Sequence, residues 1–224
     1  MDYIEAGSLS FSELNETIRS AGAKCRVSAC LGQRFIAAGM SRKSIEIDGI
    51  PGNALGAYLN GADITVHGNA QDAVGDTMSA GRIVIHGNIG DAAGYAMRGG
   101  EIFVEGNAGY RAGIHMKAYQ DQQPVIVIGG RAGSFLGEYQ AGGTILVLGL
   151  HTDGKPAAGY FPCTGQHGGR VIFRGDVSAD ASVGGICGYN KGKIYSSTTY
   201  GNVGYKSVGY NTGGICGRTA GYIT

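Results

Sequence analysis

The chain has 224 residues, of which 43 are glycine, 4 proline and none tryptophan; without abundant proline or a three-residue period, this much glycine is not collagen. Hydrophobic residues at 43% against charged residues at 16% exclude a disordered chain, and the length suits one large domain or two small ones. Eighteen Lys and Arg against seventeen Asp and Glu leave a formal charge of +1, which offers no general attraction to nucleic acid or to an anionic membrane surface.

The opening MDYIEAGSLSFSELNE is acidic and lacks the apolar run of a secretory signal, and no stretch approaches the ~20 apolar residues of a membrane span. The cytoplasm is therefore the expected compartment, with no membrane partner. Residues 10–21, SFSELNETIRSA, predict one short helix. Ser10 and Glu13 fit the S-x-x-E capping box, and Phe11, Leu14 and Ile18 form an apolar stripe suited to sealing an end or side of the fold. The five cysteines, Cys25, Cys30, Cys163, Cys187 and Cys216, match no zinc or iron–sulfur spacing and are expected as free thiols that pack as small hydrophobes.

From residue 44 a repeat governs the chain. SIEIDG (44–49), DITVHG (63–68), RIVIHG (82–87) and EIFVEG (101–106) recur every 19 residues, and VIVIG (125–129), ILVLG (145–149) and VIFRG (171–175) continue at wider spacing. Counted back from each closing glycine, one apolar column reads Ile45, Ile64, Ile83, Ile102, Val125, Ile145, Val171. The other reads Ile47, Val66, Ile85, Val104, Val127, Val147, Phe173. Positions two apart share a strand face, so both columns are predicted to line one interior.

After the strand comes G-x-x-G-x-x-x-G: Gly49, Gly52, Gly56; Gly87, Gly90, Gly94; Gly106, Gly109, Gly113; Gly130, Gly133, Gly137; with Gly68 and Gly75 alone in the second repeat. A 19-residue unit is too short for a strand, a helix and two loops, but fits one coil of a solenoid. The predicted fold is thus all-β, a right-handed parallel β-helix whose corners use glycine for positive φ and close backbone approach. The recurrence assigns these glycines to turn geometry. A dinucleotide fingerprint needs G-x-G-x-x-G opening a helix, and no nucleotide cofactor is expected on this chain.

Stacking should align further columns. Asn69, Asn88 and Asn107 suit an amide ladder up the coils, and Leu59, Met78, Met97 and Met116 suit core filling. His67, His86 and Glu105 stand just before the strand glycines, where strand spacing near ~4.8 Å would bring them within reach of one metal ion. They alternate outward, however, and exposed histidines on a strand face need no metal, so none is expected.

The outward columns begin polar, at Glu46, Asp48, Thr65 and His67, and on the same count become apolar at Ile126, Ile128, Leu146 and Leu148. Such a patch calls for cover by the N-terminal helix, by the inserted loop 118–124 or by a partner. Arg98, His115 and Lys117, polar residues beside corner glycines, join these four as candidate partner contacts. Near 178–182 the composition shifts to Tyr, Ser, Thr and Gly, which divides the chain into 1–177 and a 178–224 extension. There G-G-I-C-G recurs at Gly184 and Gly213, with Cys187 and Cys216 in register. This extension resembles GLUG repeats.

The segments GNAQDAVGDTMSAGRIVIHG (68–87), GYAMRGGEIFVEGNAGYRAGIHMK (94–117) and PVIVIGGRAGSFLGEYQAGGTILVLG (124–149) resemble the GXGXG domain of the glutamate synthase large subunit, also found as a separate small subunit. The resemblance runs from about Tyr3 to Asp176, with GQRFI (32–36) and GQHGGRVIFRG (165–175) included. It implies a noncatalytic structural subunit that docks to the amidotransferase and to an FMN and iron–sulfur synthase part, those cofactors being held by the partners. In keeping with this, Asp2 follows Met1 where an N-terminal nucleophile would stand, and the cysteines are not clustered. Formylmethanofuran dehydrogenase contains a related β-helix, which makes a scaffold of another redox complex an alternative. A surface or adhesion solenoid is a further one, favoured by the C-terminal repeats.

Overall fold

A computed structural model describes residues 1–174, and between 177 and 223 the backbone of eight short strands. β1 (Asp2–Glu5), β2 (Lys24–Leu31), β3 (Ser44–Ile50), β4 (Asn60–Val66), β5 (Ala80–Ile85), β6 (Glu101–Val104), β7 (Val125–Ile128), β8 (Ala141–Val147) and β9 (Gly168–Phe173) form one sheet in sequential order. Every neighbouring pair is parallel. Parallel neighbours in chain order require the chain to travel once round between strands, which makes the described body the expected parallel β-helix. The return half of each coil contributes few regular strands. It runs through tight corners whose amides bond the coil below, as in Gly75 N–H to Leu55 O at 2.8 Å and Gly94 N–H to Val74 O at 2.7 Å.

The inward columns stack as a continuous core. Ile45, Ile64, Ile83 and Ile102 are register partners, as are Ile47, Val66, Ile85 and Val104, and all eight are buried. Leu59, Met78, Met97 and Met116 fill the opposite side of the interior with no exposed surface. The fifth place in that column is Gln140, fully buried: its amide donates to Gly142 O at 3.1 Å and Gly143 O at 3.2 Å, and its carbonyl oxygen accepts from Gln166 at 3.2 Å. A polar group is tolerated there because each of its atoms has a partner.

At β7 the sequence alignment is off by one residue. Ile102 pairs with Ile126 and Val104 with Ile128, so Ile126 and Ile128 lie in the core at 0% exposure, while Val125 and Val127 face out. The coil ends in two glycines, and Gly130 rather than Gly129 is the register mate of Gly106, as shown by Gly130 N–H to Gly106 O at 2.8 Å and Arg131 N–H to Asn107 Oδ1 at 2.7 Å. With a side-chain period of two, that single-residue choice exchanges the faces of the strand.

The first and last coils are built differently. β1 and β2 extend the sheet ahead of the visible repeat, with Cys25 and Val27 continuing the two core columns as partners of Ile45 and Ile47. Cys25 and Cys30 are buried free thiols and Cys163 is buried as well, and burial raises the pKa of Cys25 and Cys30 above the ordinary thiol value. Helix α1 (Phe11–Ser20) carries both capping-box bonds: Glu13 N–H donates to Ser10 Oγ at 3.3 Å and Ser10 N–H to Glu13 Oε2 at 2.9 Å. Leu14 and Ile18 are buried beneath it, whereas Phe11 is half-exposed against Phe35. Asn15, also buried, pins the helix to the second coil by donating to Phe35 O and accepting from Ala37 N–H, at 2.9 and 2.8 Å.

β10 (Val177–Ser178), β11 (Ser182–Gly184), β12 (Cys187–Asn190), β13 (Lys193–Ile194), β14 (Val203–Gly204), β15 (Asn211–Gly213), β16 (Cys216–Thr219) and β17 (Tyr222–Ile223) pair two by two in parallel. Cys187 and Cys216 are Cα partners in β12 and β16, the register their repeat implies; the state of their thiols lies outside the described residues.

Candidate functional surface

The motif glycines divide into two mechanical roles, both internal. Gly94 has φ +65°, and a Cβ there would stand 2.5 Å from Ile126 Cδ1, inside the core. Gly90 has no positive φ; its missing side chain leaves room for the Asp72 carboxylate, which accepts from Asp91 N–H at 2.9 Å. The amides of Gly94, Gly109 and Gly113 are engaged by carbonyls of preceding coils at 2.7–3.2 Å, and Gly90 N–H reaches Gln71 O at 3.3 Å. Donors already bonded along the stack do not form an open cradle for a phosphate.

The polar ladders also serve the stack. Asn69 Oδ1 accepts from Asn88 N–H at 2.8 Å and Asn88 Oδ1 from Asn107 N–H at 2.7 Å, so the asparagines hold the next coil's backbone. A second ladder, not expected from the sequence, runs through Asp72 and Asp91 to Tyr110 N–H. Its sequence signal was present: Asp72 and Asp91 are 19 residues apart, in step with the glycines.

Of the His67, His86 and Glu105 column, the two rings stack with centroids 5.7 Å apart, but each takes a different carboxylate. His67 Nε2 lies 3.4 Å from Glu46 Oε2 and His86 Nδ1 lies 3.1 Å from Glu105 Oε2. Among the described residues no group of three or more His, Cys, Asp and Glu is arranged to hold a metal ion.

What remains for recognition is the outer surface, and the sheet changes character along its length. Its central outward column reads, in register, Tyr3, Arg26, Glu46, Thr65, Val84, Phe103, Val127, Leu146, Ile172. The polar end is internally paired. Arg26 grips Asp48 through two bonds of 2.6 and 2.9 Å and reaches Glu46 at 3.3 Å, and its hydrogen bond holds the Asp48 carboxyl below the usual carboxylate range. The other end is aliphatic and aromatic and partly exposed from Val84 to Ile172, with a cleft of about 280 Å³ lined by Val84, Phe103, Val127, Leu148 and Leu150. The apolar face expected from the sequence therefore exists, with Leu146 and Leu148 on it and Val127 in place of the buried Ile126 and Ile128.

Arg98, His115 and Lys117 lie on a different surface, at the corners: Arg98 is partly exposed, His115 and Lys117 exposed. His115 takes φ +55° and stacks on Tyr139 at 5.2 Å, with Tyr95 edge-on at 5.9 Å. Nearby, Arg111 (φ +57°) lies over Phe135 at 4.9 Å and bonds Glu138 at 3.0 Å, while Phe135 stacks on Phe161. In earlier coils the place of Arg111 is taken by Ala54, Ala73 and Ala92 and that of His115 by Tyr58, Thr77 and Ala96, all at similar φ. Bulky residues held at positive φ on an exposed aromatic edge are a departure from the cheaper glycine. Glycine spacing gave no sign of it, because these corners do not use glycine.

No helix among the described residues is long and apolar enough to cross a membrane. An uncharacterized protein of Methanocaldococcus jannaschii is 49% identical over 188 residues, an alignment that covers 79% of this chain and 72% of the relative. The family model described as the GXGXG motif matches residues 5–183, from the last residue of β1 through β2 to β9. The chain belongs to the GXGXG motif family, that of the glutamate synthase GXGXG domain.

Proposed function

We propose that this chain is a noncatalytic structural subunit or domain of a glutamate-synthase-like oxidoreductase, docking to an FMN and iron–sulfur synthase part and to an amidotransferase part. The family match over residues 5–183 carries this reading. Two observations agree with it. The motif residues that recur most strictly are engaged in holding coil to coil, as with Gly94 against Ile126 and Asp72 with Asp91. The side chains left outside, on the apolar sheet face and the aromatic corner, are of the kinds that anchor protein interfaces. In this role the solenoid offers a rigid spacer, while hydrolysis of glutamine and reductive chemistry belong to the partners, which also bring the FMN and the iron–sulfur cluster.

Co-purification with an FMN-containing synthase subunit tests the proposal: stable association, with glutamate synthesis only in the assembled complex, is the expected result. Ammonia release from glutamine by the pure 224-residue chain would refute it.

A further inference from the structure

The apolar end of the sheet's outer face is a stripe of five register partners, Val84, Phe103, Val127, Leu146 and Ile172, each partly exposed. Five adjacent strands make it roughly 19 Å long. The backbone groups of β5 to β8 pair on both sides within the sheet, so the face over them cannot take an added strand, which needs a free edge. Only side-chain packing is on offer.

Charge then discriminates among occupants. At the upper end Arg82 bonds Glu101 at 2.9 Å and lies over Phe103, while His86 and Glu105 pair at 3.1 Å. At the lower end Arg170 and Arg174, two residues either side of Ile172, are exposed and have no carboxylate partner among the described residues. A suitable occupant is apolar along its length and brings free carboxylates to one end. The segment after Arg174 has four basic residues against two acidic ones, a poor match. A second copy is no better: Glu46, Asp48, Glu101 and Glu105 are already paired with Arg26, His67, Arg82 and His86, and the exposed Asp63 and Glu5 lie on β4 and β1, beyond the strands of the stripe. Helix α1 is fixed at the other end of the solenoid by Asn15.

We infer that this stripe seats an amphipathic helix of the partner subunit, lying across the strands with its acidic end between Arg170 and Arg174. About 13 helical residues span the stripe. The inference rests on the scaffold reading above and specifies where and by what element the partner binds.

The test is titration of the full chain and its variants with the FMN-containing synthase subunit at low and high salt, with circular dichroism to verify the fold. Val127→Asp with Leu146→Asp should weaken association at least about 30-fold at either salt, as loss of central apolar anchors does. Arg170→Glu with Arg174→Glu should weaken it about tenfold at low salt and less at high salt. A photo-crosslinking residue at Val127 should capture the apolar face of a helical partner peptide, and one at Arg174 its acidic end. Binding by the wild type that both double variants leave intact overturns the helix and spares the scaffold reading, as does a crosslink into residues 175–224 or a second copy. A wild-type chain that binds no synthase subunit overturns both.

Discussion

Replacing Gly94 by alanine tests the account of the coil in one step. The residue sits at φ +65°, where a Cβ costs about 1–2 kcal/mol, and the added methyl would stand 2.5 Å from Ile126 Cδ1, 3.5 Å from Ile126 Cγ1 and 3.6 Å from Met97 Sδ. Overpacking of that kind costs about 1–3 kcal/mol. The sum, about 2–5 kcal/mol, is a large part of the stability of an ordinary domain. Urea unfolding followed by circular dichroism measures it, and a second substitution separates the two causes. Ile126→Val removes Cδ1, so Gly94→Ala should cost at least about 1 kcal/mol less in that background, a coupling of the size that contacting residues show. Ala92→Gly, at φ +56° and partly exposed, provides the opposite sign: relief of the left-handed strain against about 0.4–1 kcal/mol of added chain entropy should leave it neutral or slightly stabilising. Gly94→Ala within 0.5 kcal/mol of wild type, or the same cost with and without Ile126 Cδ1, would refute the reasoning; these thresholds follow from the roughly 0.3–0.5 kcal/mol additivity of independent sites.

Ile126→Glu should prevent folding or cost several kcal/mol through a buried, unpaired charge, whereas Val127→Glu, one residue on and facing out, should leave the far-ultraviolet spectrum unchanged; equal effects would mean that the register at β7 is misread. Asn88→Ala should cost about 1 kcal/mol by removing the acceptor for Asn107 N–H, and Asn88→Asp, which keeps an acceptor, should cost less in the same unfolding assay. The buried thiols of Cys25 and Cys30 should resist a disulfide reagent in the folded chain at pH 8 and react after denaturation. Their folded pKa values are raised, so the stability they contribute is complete below the unfolded value near ~8.5 and declines as pH rises above it. Stability that grows between pH 8 and 10 would contradict that sign, the window being set by the ordinary thiol value of about 8.5.

The architecture was legible in the sequence because a parallel solenoid writes its geometry as a period. Each 19-residue step returns the chain to the same place, so Ile64, Ile83 and Ile102 meet the same surroundings and are selected for the same property. Capping of α1 was legible for a similar reason, since Ser10 and Glu13 are near in sequence and bond each other. Local or periodic information suffices for both. Three features needed the tertiary structure. β1 and β2 precede the visible repeat and join the sheet through Cys25 and Val27, where a thiol does the work of an aliphatic side chain. The register of β7 depended on which of two adjacent glycines closes the strand, and only the stacking of Gly130 on Gly106 resolves it. The outer surface is the third case. Val127 and Ile126 are both aliphatic neighbours in a run of four, VIVI, and hydrophobicity alone does not say which one the core takes. Coil stacking decides it, because a slip of one residue would put Ile126 outside and break the ladder from Ile102 to Ile145.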